Sequence, residues 1–139
     1  MSEVSPASPL FVYGSLRKGS PNPHAAFLHS RCLFRGVARM RGRLYRNGSI
    51  YGALYEPAGA STVLGDVIEL PEESAAEILT SLDRYEGIGA GLPRPTLFRR
   101  ELVKVTMEDE TEWLCWTWLY NQPLKGCSLI RHGDALSRE

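Results

Sequence analysis

From Val37 to Tyr45 the chain alternates apolar and polar side chains, and the run stops at Asn47-Gly48. Alternation is the period of a half-buried strand. Asn-Gly is the pair best suited to a two-residue hairpin turn, where both positions take a positive φ. "SIYGALYEP" then supplies the return strand. The same pattern recurs in "STVLGDVIEL", which stops at Pro71, and in "TLFRRELVKVTM" and "TEWLCWTWLYN", joined by the acidic turn "EDE". Leu10 to Tyr13 adds a short apolar strand. Strands this short, linked by tight turns, restrict the chain to a mixed or largely antiparallel sheet. One segment has the helical period instead. In "PEESAAEILTSLD", Ala75, Ile78, Leu79 and Leu82 fall at i, i+3, i+4 and i+7, which makes one apolar face. Pro71 suits a first helical position, Glu72 and Glu73 sit where the helix dipole favours negative charge, and Gly87 is a terminator. "PNPHAAFLHS" carries a helical turn or two. About six strands with one main helix over residues 71–83 predict an α+β fold, a single domain around a mixed, barrel-like sheet.

The length of 139 residues suits one core. Residues 10–134 are expected to form the domain, with a flexible tail at 1–9 and a loose tail at 135–139, poorly anchored past Ile130. Acidic and basic residues balance to a formal net charge of zero, so the basic excess of a nucleic-acid binder is missing. The locally basic stretch Arg35 to Arg46 alternates with apolar residues and reads as the wet face of a strand. Three cysteines, Cys32, Cys115 and Cys127, are an odd number with no short pairing motif, which argues against a disulfide framework. The N-terminus has no basic segment followed by an apolar stretch, and "WLCWTWLY" is too short to span a bilayer. A reducing, cytoplasmic setting without a membrane partner is the expectation.

The chemistry-bearing residues narrow quickly. His24, His29 and His132 show no zinc spacing with one another or with cysteine. Ser15 follows Gly14 without a G-x-S-x-G elbow and without an evident histidine base. Cys115 sits in a Trp-rich strand and reads as core. "YGSLRKG" lacks Walker spacing, yet it is a turn leaving a strand, with amides that can cradle a phosphate or a carboxylate. A plain tight turn explains the same residues. Glu86 differs from the other acids. In "LDRYEG" it follows the apolar helix face by four residues from Leu82, between an aromatic residue and a glycine. On the buried side it would have a raised pKa and move protons near neutrality. The alternative is a helix-end carboxylate bonded to a backbone amide or to Arg84.

"FVYGSLRKG" and "LDRYEG" together resemble the gamma-glutamylcyclotransferase-like family, and "VLGDVIEL", "LFRRELVKV", "WTWLY" and "LIRHGD" fit it in order, from about Leu10 to Asp134. The resemblance implies an intramolecular reaction without metal or organic cofactor. The α-amine of a γ-glutamyl group attacks that group's own γ-carbonyl, 5-oxoproline closes, and an amine or amino acid leaves. It implies Glu86 as the general base and acid, with Tyr13, Gly14, Ser15, Leu16 and Tyr120 binding the substrate. Tyr13 would wall the pocket. Arg17 would add charge for a carboxylate or be a solvated arginine. The only partner implied is a small γ-glutamyl molecule. Phe98 stands where the family often has Tyr, and Ala135 where many relatives carry Trp. Substrate choice is expected from the loop "GIGAGLPRPT". The competing expectations are a non-catalytic carboxylate-binding module on the same fold, and hydrolysis of a related amide to free glutamate.

Overall fold

Leu10, Phe11 and Val12 form β1 (Leu10–Val12), and all three side chains are buried. A strand with no exposed position must lie in the middle of a sheet and be covered on both faces. In this computed structural model, which describes residues 8–89, 91 and 94–136, β1 lies between β4 (Thr62–Glu69) and β6 (Glu112–Tyr120), antiparallel to the first and parallel to the second. The chain order is β1, α1 (Pro23–Arg31), β2 (Leu33–Asn47), β3 (Ile50–Tyr55), β4, a 3-10 turn (Glu72–Ser74), α2 (Ala75–Tyr85), β5 (Phe98–Met107), β6 and β7 (Ser128–Ile130).

The sheet order is β3-β2-β4-β1-β6-β5, and an additional β2–β5 pairing brings its two sides together. Ala38–Met40 of β2 pair with Val105–Met107 of β5, while residues 33–41 pair with β4. Five strands therefore close on themselves as a mixed barrel, which removes the open sheet edges. The far half of β2 leaves the barrel and pairs with β7 and with β3, through a hairpin that turns at Gly48-Ser49, one residue later than the expected Asn47-Gly48, because Asn47 still pairs with Ile50.

Alternation sorts β1 between two cores. Phe11 points into the barrel with Met40, Val63, Val67, Val103, Val105 and Cys115. Leu10 and Val12 point outward, beneath Leu28 of α1 and Ala75, Ile78, Leu79 and Leu82 of α2. Cys115 is fully buried, as the Trp-rich strand suggested; Trp118, an odd number of residues along, faces the helices. The arginines of β2 at 35, 39 and 41 are exposed, as the period-two pattern required. All three cysteines are unpaired. No helix among the described residues is long and apolar enough to cross a membrane.

Several expectations need correction. The described residues form seven strands, the extra one, β7, being too short to show alternation in the sequence, and include a second helix, α1, nine residues long with the Asn22 side chain accepting from the His24 amide at 2.8 Å. Pro71 precedes a 3-10 turn rather than opening the α-helix, which extends to Tyr85. The chain past Ile130 is anchored. The Leu64 amide donates to the Gly133 carbonyl at 2.8 Å, Asp134 pairs with Arg17, and Ala135 is buried in the barrel core. Gly133 has φ 71°, and a Cβ there would overlap the Thr62 carbonyl oxygen. Gly133→Ala is therefore expected to cost about 2 kcal/mol or more, seen as a lowered thermal unfolding midpoint; a loose tail would show no change. Residues 1–7 and 137–139 of the expected tails, and positions 90, 92 and 93 of the expected specificity loop, lie outside the described residues.

Candidate active site

Where β1 ends, the chain turns across the mouth of a cavity of about 500 Å³. Tyr13, Gly14, Ser15 and Leu16 form one wall, Tyr85, Glu86 and Gly87 from the end of α2 another, and Ser49, Ile50 and Tyr51 a third; Phe98, Thr117 and Trp118 of β5 and β6 lie at the back. Two stretches 70 residues apart thus meet, joined directly by a 3.0 Å bond between the Ser15 and Tyr85 hydroxyls. The Asn22 side-chain amide donates to the same Tyr85 oxygen at 2.7 Å. Whichever hydroxyl donates in the Ser15–Tyr85 pair, one hydroxyl hydrogen remains for a ligand.

The turn holds its shape through partners outside itself. The Arg17 amide donates to the Gly14 carbonyl at 3.1 Å. His29 of α1 bonds the Leu16 carbonyl through Nε2 at 2.9 Å, which makes Nε2 the protonated nitrogen. The Lys18 amide donates to Asp66 Oδ2 at 2.7 Å. Among the described residues, the amide N–H groups of Gly14, Ser15 and Leu16 have no protein acceptor. Three successive free amides in a cavity lining are donors that an anion could use. Arg17 is neither solvated nor a cavity residue. It is buried and ion-paired to Asp66 at 3.4 Å and Asp134 at 2.7 Å. The expected role of Arg17 toward a substrate carboxylate is thereby corrected: two aspartates already satisfy it.

Glu86 occupies its place because α2 ends there. The Ile88 amide bonds the Asp83 carbonyl at 2.8 Å and the Gly87 amide the Arg84 carbonyl at 3.1 Å, the paired bonds of a Schellman motif. That motif needs a left-handed residue after the cap, and Gly87 supplies it at φ 91°. Glu86 is the cap, with its amide still bonded to the Leu82 carbonyl at 2.9 Å. Its carboxyl has no hydrogen-bond donor among the described residues, so neither a backbone amide nor Arg84 neutralises it. Burial, and next the Asp83 carboxylate, raise its pKa from 4.5 to about 7. It is the one formally charged side chain among the described residues lining the cavity.

Tyr13 walls the cavity, but its hydroxyl is committed. It donates to the Trp118 carbonyl at 2.6 Å and accepts from the Ala53 amide at 3.1 Å. Burial, then the nearby Glu86 charge, push its pKa far upward, so it stays a neutral phenol. The structure does not bring Tyr120 to the cavity lining. Its ring packs edge-on behind Phe98 at 6.0 Å and against Gly52, with its hydroxyl accepting from the Asn47 side chain at 3.4 Å. Phe98 is the residue that faces the space. The sequence assigns no role to Asn22 or Tyr85, although Tyr85 lies within "LDRYEG" and Asn22 shortly after "YGSLRKG". No group of three or more His, Cys, Asp or Glu among the described residues is arranged to hold a metal ion.

Residues 10–135 match the model of a family described as gamma-glutamyl cyclotransferase, AIG2-like. A Methanocaldococcus jannaschii protein that carries gamma-glutamylcyclotransferase as a provisional name is 30% identical over 125 residues, 90% of this chain and 92% of its own length. The gamma-glutamylcyclotransferase family protein YtfP of Escherichia coli is 28% identical over 130 residues, 94% of this chain and 97% of its own. Among solved structures, a mouse AIG2-like protein superposes with a TM-score of 0.69 at 25% identity, covering 91% of this chain and 86% of that one.

Proposed function

This chain belongs to the gamma-glutamyl cyclotransferase, AIG2-like family, and from that premise we propose that it converts a small γ-glutamyl compound into 5-oxoproline and a free amine or amino acid, with Glu86 moving the protons. The observation that carries the reading is the Glu86 carboxyl, with its pKa raised to about 7, in a cavity whose lining also holds three residues with unpartnered amides.

A γ-glutamyl substrate brings an α-carboxylate, an α-ammonium and a γ-amide. The Gly14, Ser15 and Leu16 amides suit the carboxylate, and the spare hydroxyl hydrogen of the Ser15–Tyr85 pair adds a fourth donor. The ammonium then faces Glu86, which takes its proton. The freed amine attacks the γ-carbonyl carbon, and on becoming the lactam amide its nitrogen sheds a further proton, which the departing amine carries away as its ammonium form. As the carbon–nitrogen bond of the γ-amide breaks, the leaving nitrogen receives a proton from Glu86, and the carboxylate is ready again. The nucleophile belongs to the substrate, so no serine or cysteine nucleophile is needed. Holding amine and carbonyl in ring-closing geometry contributes a large part of the acceleration.

The test is a panel of γ-glutamyl amino acids and γ-glutamylamines incubated with purified protein, with products separated by mass spectrometry. Formation of 5-oxoproline from at least one of them is expected. Release of glutamate without 5-oxoproline would mean hydrolysis. Saturable binding with no product would mean a binding module.

A further inference from the structure

One helical turn before Glu86, Asp83 holds a charged network that the reaction above does not use. Its Oδ1 accepts two bonds, from the Trp118 indole Nε1 at 2.8 Å and from Arg100 Nε at 2.8 Å. The Arg100 guanidinium lies 4.3 Å over the Trp116 ring. Trp118 lines the cavity, and its own carbonyl accepts from Tyr13. Asp83 is thus an anion locked in one rotamer, at i–3 from Glu86 on the same helix. The Asp83 and Arg100 side chains are 17% and 25% exposed. Most of both side chains is therefore out of water, where a fixed charge near a cavity carboxyl acts on its proton affinity.

We propose that Asp83 and Arg100, locked together behind Trp118, are positioning residues whose opposite charges act in opposite senses on the proton affinity of Glu86. The proposal rests on Glu86 being the proton carrier of the reaction proposed above. The other titratable side chains lining the cavity are the phenols of Tyr13 after β1, Tyr51 of β3 and Tyr85 of α2, and His24 of α1 packs on the Tyr85 ring at 4.2 Å. Arg84 is exposed on α2, and Arg17 is held by its two aspartates. Asp83 is a formal charge bonded to a cavity-lining side chain, that of Trp118, and Arg100 is its ion-pair partner. Asp83 stands next after burial among the causes that raise the Glu86 pKa.

Asp83→Asn keeps an oxygen that can accept from both Trp118 and Arg100 but removes the charge. Arg100→Gln removes the opposite charge. The primary readout is the titration midpoint of the Glu86 side-chain carboxyl by carbon-13 NMR, assigned by its absence in Glu86→Gln, which requires no turnover. The midpoint is expected to fall by about one pH unit in Asp83→Asn and to rise in Arg100→Gln. Arg100→Lys, which keeps charge but not the planar fork, should stay near the native value. Midpoints that do not move, or that move the same way in both variants, overturn the proposal, since loss of packing alone predicts no opposed pair. The acidic limb of kcat/KM should follow the NMR midpoints. NMR midpoints that move as expected while the limb stays fixed would leave the tuning standing and remove Glu86 as the base. Should Asp83→Asn not fold, the Arg100→Gln and Arg100→Lys pair decides alone, by a rise in the first and none in the second.

Discussion

Glu86→Gln is expected to lower 5-oxoproline formation by about 10²–10⁴-fold, the usual contribution of a positioned acid/base, and at the same time to make the protein more stable at pH 8. The second effect follows from the same chemistry. In the unfolded chain Glu86 titrates near 4.5, and in the folded chain near 7. Its folded pKa is raised, so the folded state binds this proton more tightly. The resulting stability is complete below pH 4.5 and is lost as pH rises through 7. Above that, holding the anion in the cavity costs on the order of a few kcal/mol. Its location adds to the cost, because the C-terminal end of a helix favours cations. Glutamine has nearly the same shape and no charge to desolvate. Thermal midpoints of native and variant protein should therefore differ at pH 8, with the variant higher, and converge at pH 4.5. A variant that loses activity but is less stable at pH 8 would mean that Glu86 has a structural partner, and that the lost turnover follows from misfolding. A carboxylate that weakens the fold where it stands is the pattern of a residue kept for chemistry.

Much of this site was legible in the sequence because it depends on local rules. The apolar face of α2 at 75, 78, 79 and 82 is buried as its spacing required. Gly87 ends the helix, and that fixes Glu86 at the cap. The strand-to-turn break at Gly14 leaves amides unpaired because a chain leaving a central strand has no ladder partner for them. What escaped the sequence depends on distant pairing. Arg17 could be read as solvated or substrate-facing only because its partners lie 49 and 117 residues away. The signal that existed was Asp66 itself, a charge inside the apolar run "VLGDVIEL", which a buried strand tolerates only with a partner. A barrel-like sheet was expected from the run of short strands, but the residues that close it, Ala38–Met40 against β5, were not readable. β2 is a single strand in the sequence and serves two sets of neighbours along its length. Tyr120 was carried toward the substrate by its place in "WTWLY", yet it is Thr117 and Trp118 of that strand that reach the cavity, while Tyr120 backs Phe98 and Gly52.

Asp66→Ala is expected to be the most destabilising of these substitutions and to weaken substrate binding even where the protein remains folded. Asp66 is 3% exposed at its side chain and Arg17 is 9%. Removing the aspartate leaves the guanidinium buried with Asp134 alone, and Asp134 is 26% exposed. It also strips the Lys18 amide of its acceptor. Breaking a buried pair from one side costs about 3–5 kcal/mol, which for a domain of this size should lower the thermal midpoint by roughly 10–20 °C. Asp134→Asn should be milder, because Arg17 keeps its buried partner. The functional effect follows from where these bonds attach. Arg17 and Lys18 directly follow the Gly14–Leu16 amides, so the aspartates hold the turn to β4 and to the chain end. Losing that hold should raise KM for a γ-glutamyl substrate more than it lowers kcat, since it disorders carboxylate binding and leaves Glu86 in place. The double variant Arg17→Met/Asp66→Leu separates the two consequences. Replacing both charges with apolar groups of similar volume should restore much of the midpoint, while KM stays high because the Lys18 amide still lacks its acceptor. If stability and KM recovered together, the cluster would be serving stability alone, and the turn would hold its amides in place without it.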